Sequence, residues 1–225
     1  MVLIHSIEKA DVVCNALFLL TGNTSIDIME LTKTARGLLM EIKNINKDEL
    51  FELFTEYCHL TNDAEHNTKR AQIIGIKSQD VQVAPGANVR IPKDQIGNNV
   101  FIGLYDYLNG NVTIGNNVLI GPHCSILAGN HKFDPKTGWF SARTEKDGDD
   151  SVVIGDGTWI ASGVTVTPGV KIGRANLICA GAVLTKSTED YAIMAGVPAK
   201  KVGYINPDTG EYIWFSRTKC EDDQP

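Results

Sequence analysis

The chain is expected to fold mainly as a parallel β-helix, with an α-helical segment before it and a β-hairpin after it. Three observations carry this. First, aliphatic residues recur every six positions, at Ile96, Ile102, Leu108, Ile114, Ile120 and Ile126, and again at Ile154, Ile160, Val166, Ile172, Ile178 and Leu184. Second, glycine often follows that residue, as in IGNN, IGLY, IGPH, IGDG and IGRA. Third, the position four after it is small or β-branched: Val100, Val112, Val118, Cys124, Thr158, Val164, Val170 and Ala182. A period of six is neither the helical repeat nor simple strand alternation. It marks a solenoid in which each hexad is one short strand and one corner, and three hexads close a triangular coil of about eighteen residues. Ile96 is then expected beneath Ile114, Ile102 beneath Ile120 and Leu108 beneath Ile126. Glycine after the core residue is attributed to a corner with dihedral angles that a β-carbon opposes.

Residues 1–70 lack this beat and read as a helical cap. Val12, Val13, Leu17, Leu19 and Leu20 suit a first helix. Thr24 or Ser25 caps a second, with Ile28, Leu31, Ala35, Leu38, Leu39 and Ile42 at helical spacing. Asn46 and Glu49 form a capping box for a third, whose apolar stripe is Leu50, Leu53, Phe54 and Tyr57. From Ala71 the composition turns to β, and residues 71–203 form the helix of strands. Val81, Val83, Val89 and Ile91 are an early coil. Seven residues separate Val89 from Ile96, so a β-bulge is expected at that corner. Residues 132–153 interrupt the hexads with a polar, turn-rich loop that carries Trp139 and Phe140. A loop of this length in a compact fold is read as functional, docking onto a neighbouring subunit or onto a substrate. Residues 204–225 are a hairpin, with Tyr204 and Ile205 leading through NPDTG into EYIWF, and a tail.

Composition narrows the function classes. The 225 residues carry a formal net charge of -6, which argues against nucleic acid or an anionic membrane as partner. The longest apolar run, Val12–Leu20, is too short to span a bilayer, and acidic residues flank it. A cytoplasmic location is expected. The five cysteines (Cys14, Cys58, Cys124, Cys179, Cys220) show no paired spacing and read as reduced. A zinc site of the kind that needs three histidines is not expected, because the solenoid offers only His123 and His131.

The segments IGNNVLIGPHCSILAGNH, IGDGTWIASGVTVTPGVKIG, AGAVLTK and AGVPAKKV resemble the hexapeptide-repeat acyltransferases, over roughly residues 96–205. The likeness is strongest to the sugar O-acetyltransferases of the maltose and galactoside type and their antibiotic-modifying relatives. It implies a left-handed helix, a homotrimer with active sites between subunits, and acetyl-CoA as cosubstrate with no metal. The implied reaction moves an acetyl group to a hydroxyl of a sugar, either a surface polysaccharide or a nucleotide-linked sugar. An antibiotic acceptor or an amino sugar that is N-acetylated are the alternatives.

His131, ending the AGNH motif, matches the family's catalytic histidine. An imidazole suits the part of general base, because histidine as a side-chain type exchanges its proton near neutral pH. His123, three residues after Ile120, reads as a surface residue. For coenzyme A the resemblance implies Trp159, Ala161, Ser162, Ala180, Thr185, Lys186 and Lys200. Trp159 walls the acceptor or pantetheine groove, and backbone near Ser162 meets the thioester oxygen. Lys171, Arg174, Lys186, Lys200 and Lys201 supply positive charge for the phosphates. Asp106, Asn109 and Trp139 are the candidates for acceptor binding. The family's acceptor-binding asparagine falls on Phe101, which departs from simple maltose or galactoside specificity.

Overall fold

The computed structural model describes residues 48, 51, 52, 55, 59–140 and 149–215. The two helices expected over 8–20 and 24–42 lie outside the described residues. Asp48, Phe51, Glu52, Thr55 and His59 are helical, as the capping box at Asn46 implies. Helix α1 spans Ala64–Ile73. Asp63 caps it, its carboxylate accepting the N–H of His66 at 3.0 Å. α1 therefore continues past Ala71, where the composition had suggested β structure, and Gly75 follows its end with φ 88°. The chain divides into two compact units, Met1–Gly75 and Ile76–Pro225.

The second unit is the β-helix. Its first face stacks β1 (Gln82–Val83), β3 (Phe101–Ile102), β6 (Leu119–Ile120), β11 (Trp159–Ile160), β14 (Leu177–Ile178) and β16 (Ala192–Ala195). The second face stacks β2 (Asn88–Arg90), β4 (Tyr107–Gly110), β7 (Ser125–Ala128), β12 (Thr165–Val166) and β15 (Val183–Leu184). The third face stacks β5 (Val112–Ile114), β10 (Val152–Ile154) and β13 (Lys171–Ile172), with Ile96 bridging to Ile114. Ile102 pairs with Ile120, and Leu108 with Ile126. The predicted register therefore holds at all three positions.

Inside the prism, the hexad residues form columns from which water is excluded. Ile102, Ile120, Ile160 and Ile178 are each 0% exposed. Burying each such side chain contributes about 2 kcal/mol. The small positions Val100, Val118, Cys124, Thr158, Val164 and Ala182 are buried beside them. Besides Thr158, two more positions of this kind are polar. Asp106 and Asn176, each 1% exposed, stand four residues after Ile102 and Ile172. The Asn176 amide donates to the carbonyls of Arg174 (3.0 Å) and Glu189 (2.8 Å).

The glycines that follow the core residues have a different cause from the one expected. Gly103 and Gly121 are not in the left-handed region. A β-carbon on Gly103 would lie 2.7 Å from the carbonyl carbon of Gly121, and one on Gly121 would lie 2.8 Å from the amide nitrogen of Ser162. Close approach of the next coil selects glycine here. The left-handed residue comes two positions after these glycines, and before the loop it carries a side chain at Asn99, Tyr105, Asn117 and His123, with φ of 54° to 62°.

Between Val89 and Ile96 the structure forms a 3-10 turn over Lys93–Gln95, not a bulge. Pro92 opens it with φ -57° and removes a donor that a bulged strand would need. The hairpin at the end is as expected. β17 (Lys200–Ile205) runs antiparallel to β16, and β18 (Tyr212–Trp214) antiparallel to β17, which extends the first face to eight strands.

Candidate active site

The loop leaves the coil after β7. In the coils on either side of it partners differ by 18 in number, as Phe101 and Leu119 or Trp159 and Leu177 do, but across the loop Leu119 pairs with Trp159. Val152 already belongs to β10, so the interruption ends at Ser151 and not at 153. The base of the loop is pinned on both sides. The Asn130 amide donates to Asp150 at 3.3 Å, and the Gly169 N–H donates to the Asp150 carbonyl at 3.0 Å. Asp149 pairs with Lys171 at 3.0 Å and accepts from the Ser151 N–H at 3.0 Å. The Ser151 hydrogen bonds, and then Lys171, hold the Asp149 carboxyl down at about 2. Within the loop, β8 (Phe133–Asp134) and β9 (Trp139–Phe140) form a small antiparallel hairpin, with Phe133 edge-on to Phe140. Trp139 is 67% exposed on it.

His131 is exposed at the foot of this loop, where the second face turns toward the third. Asn109 is half-buried on β4, paired with Leu127 of β7, on the coil before. Thr185 and Lys186 follow β15 and are exposed at the same far end of the second face. Asp106 departs from its expected part as an acceptor ligand. Its side chain lies inside the prism, accepting the N–H of Gly103 (2.7 Å) and of Cys124 (2.8 Å). Burial outweighs these two bonds and pushes its carboxyl up to about 7. Burial, and next the Asp106 charge, push the Cys124 thiol up to about 11. The signal for this was in the sequence, since 106 is the small, buried position of its hexad.

The other residues gather at the opposite end of the second face, where the first face turns into it. Trp159 lies on the first face between Leu119 and Leu177, and is 47% exposed. Ala161, Ser162 and Ala180 form the corner beside it. The Ala161 N–H donates to the Ile178 carbonyl (2.9 Å), and the Ser162 hydroxyl to the Pro122 carbonyl (3.1 Å). Lys200, exposed, begins β17 above this corner, where the Ala199 N–H donates to the Val183 carbonyl. The expected residues thus form two groups. Trp159, Ala161, Ser162, Ala180 and Lys200 stand at one corner; Asn109, His131, Thr185 and Lys186 stand at the next. One face of about six residues, on the order of 20 Å, separates the corners.

The cations also sort. Lys171 is tied to Asp149, Arg174 to Asp190 and Lys201 to Glu189. Among the described residues, Lys186 and Lys200 are exposed and form no ion pair. The corner beside Ala180 is open, for a β-carbon on Gly181 would meet nothing within 4 Å. An extended amide chain with phosphates at one end fits such an edge. Among the described residues, no group of three or more His, Cys, Asp or Glu side chains is placed to hold a metal ion, and no helix is long and apolar enough to cross a membrane.

Residues 151–186 match the family described as bacterial transferase hexapeptide (six repeats). The galactoside O-acetyltransferase of Escherichia coli (strain K12) is 33% identical over 136 residues, 56% of this chain and 63% of that protein. The chain thus spans less than two thirds of that relative's length. Nodulation protein L of Rhizobium meliloti (strain 1021) is 34% identical over 131 residues, 54% of this chain and 69% of that protein. Among solved structures, a maltose O-acetyltransferase from Clostridium difficile 630 overlays with a TM-score of 0.45 and 26% identity, covering 69% of this chain and 86% of that one.

Proposed function

This chain belongs to the hexapeptide-repeat acyltransferases, and from that premise we propose that it is an acetyl-CoA-dependent O-acetyltransferase acting on a hydroxyl of a sugar. The observation that carries the reading is the position of His131. It stands exposed where the stacked coils open into the aromatic hairpin, at the end of the same second face whose other end holds Ser162 and Ala180.

In this reading the coenzyme lies along the open edge past Ser162 and Ala180, with its phosphates toward Lys200, while Lys186 is supplied by the copy of the chain that completes the site. Trp159 walls the groove. His131 takes the proton of the acceptor hydroxyl as that oxygen bonds to the thioester carbonyl carbon. A backbone N–H near Ser162 supports the charge that develops on the carbonyl oxygen. The carbon–sulfur bond then breaks, and His131 returns the proton to the leaving sulfur, giving the acetyl ester and the free thiol. Asn109 and Trp139 bound the acceptor. The two groups of residues stand at different corners of one prism, so the site is completed by a second copy of the chain. A closed trimer with three identical sites satisfies this.

The test is thiol release from acetyl-CoA with a methyl galactoside as acceptor. His131→Ala should lower kcat by about a hundred- to ten-thousand-fold while leaving coenzyme A affinity near the wild-type value. A variant with undiminished kcat, or a purified protein that is monomeric and does not bind coenzyme A, overturns the reading.

A further inference from the structure

Above Gly86 (φ 75°) of the first coil, the corner between the first and second faces carries one left-handed residue per coil: Tyr105 (φ 56°), His123 (φ 62°), Gly163 (φ 71°) and Gly181 (φ 69°). These four positions form a line along the prism. The His123 N–H donates to the Leu104 carbonyl, Gly163 N–H to Pro122 and Gly181 N–H to Ser162, each at 2.9 Å. One strand spacing, about 4.8 Å, separates each from the next.

The first two positions carry rings and the last two carry nothing. A β-carbon on Gly86 would lie 2.3 Å from Cδ1 of Tyr105, so the phenol ring rests directly on that glycine. The imidazole of His123 stacks on Tyr105, centroids 5.5 Å apart and planes 12° from parallel. There the stack ends. Over Gly163 the nearest atom to an added β-carbon is 3.9 Å away, and over Gly181 there is none within 4 Å. The imidazole face turned away from Tyr105 therefore looks across a bare glycine shelf beside Ser162. The backbone adds a second indication. Left-handed geometry costs a non-glycine residue on the order of 1 kcal/mol, and such residues gather at binding sites. Two coils later the same corner uses glycine, yet here it holds two rings.

We propose that Tyr105 and His123 form a stacking platform that holds a flat ring of the acceptor over Gly163. This rests on the acetyl-transfer reading, which sends the coenzyme from Ser162 toward Lys200 and leaves the His123 side of Ser162 to the acceptor. The ligand class is a ring with an apolar or π face, either the C–H face of a pyranose or an aromatic ring attached to it.

The test uses the full chain and two probes, methyl β-D-galactopyranoside and its p-nitrophenyl analogue. The ring protons of His123 are followed by NMR as each probe is added. The expected result is a saturable shift of these protons. A shift with both probes identifies the sugar face as the stacked group, and a shift with the aryl probe alone identifies the aromatic ring. Two variants keep the left-handed backbone, because Asn99 and Asn117 already adopt it with φ 54° and 56°. His123→Asn removes the ring, and Gly163→Asn fills the shelf. Each should weaken the responding probe about three- to tenfold without changing coenzyme A binding by calorimetry. Unmoved His123 protons with both probes, or a Gly163→Asn protein that binds the probe as tightly as wild type, overturns the platform. Loss of coenzyme A binding in the wild type refutes the transferase reading instead, and does not depend on the His123 signal.

Discussion

The coils before the loop and the coils after it share one backbone and differ in what they display. In both, an aliphatic column fills the prism, and a glycine after some of the core residues, such as Gly103, Gly121 and Gly155, lets the next coil approach. Before the loop, beyond Asp80 and Gly86 of the first coil, the left-handed corners hold Asn99, Tyr105, Asn117 and His123. After it they hold Gly157, Gly163, Ala175, Gly181 and Tyr191 at the corresponding places. The first half is furnished with side chains, and the second is stripped to backbone at the corner of Ser162 and Ala180. The same scaffold can thus present one half to a partner of varied shape and the other to an extended chain that wants amides and room.

The comparison breaks most severely if the shared backbone is not shared. Gly121→Val before the loop and Gly155→Val after it should be equally damaging, since added β-carbons meet backbone at 2.8 Å and 2.6 Å. Each should cost on the order of 5 kcal/mol, enough to consume the stability of a domain this size. Soluble yield and thermal melting check this, and a Gly121→Val protein that melts like wild type sinks the close-approach argument. Next in size is Asp106, a carboxyl inside the furnished half. Its folded pKa of about 7 lies above the ordinary 3.8. Its contribution is therefore fully present below about pH 4 and is lost as pH rises to about 7. The change is roughly 4 kcal/mol, or on the order of 10 °C in Tm. Asp106→Asn should flatten this slope between pH 4 and 8, and melting curves across that range read it out. The smallest effect is expected at Gly163, where Gly163→Asn should shift stability by no more than about 1 kcal/mol. A loss as large as that of Gly121→Val would mean that the two kinds of glycine are one.

Much of this was legible before any coordinates. Ile96, Ile102 and Leu108 announce their partners one coil on, because a period of six fixes both face and register. The hairpin at NPDTG is equally plain, as turn chemistry is local. What escaped depends on neighbours that are distant in sequence. The reason for Gly103 lies in the backbone of Gly121, and no inspection of the IGLY segment alone separates close approach from unusual dihedrals. Asp106 was read by its charge, though its place in the hexad was that of Val100 and Val118. The division of the candidate site between two corners follows from which face each hexad occupies. The pairing of Lys171 with Asp149 depends on how the loop closes.

That closure has a further consequence. The chain departs after β7 and rejoins at β10 in unbroken register, held at the neck by Asn130, Asp149, Asp150 and Lys171. Among the described residues beyond the neck, β8 and β9 pair with each other and add no strand to the three stacked faces. The hairpin Phe133–Phe140 can therefore vary in sequence without shifting the register of the coils on either side of it.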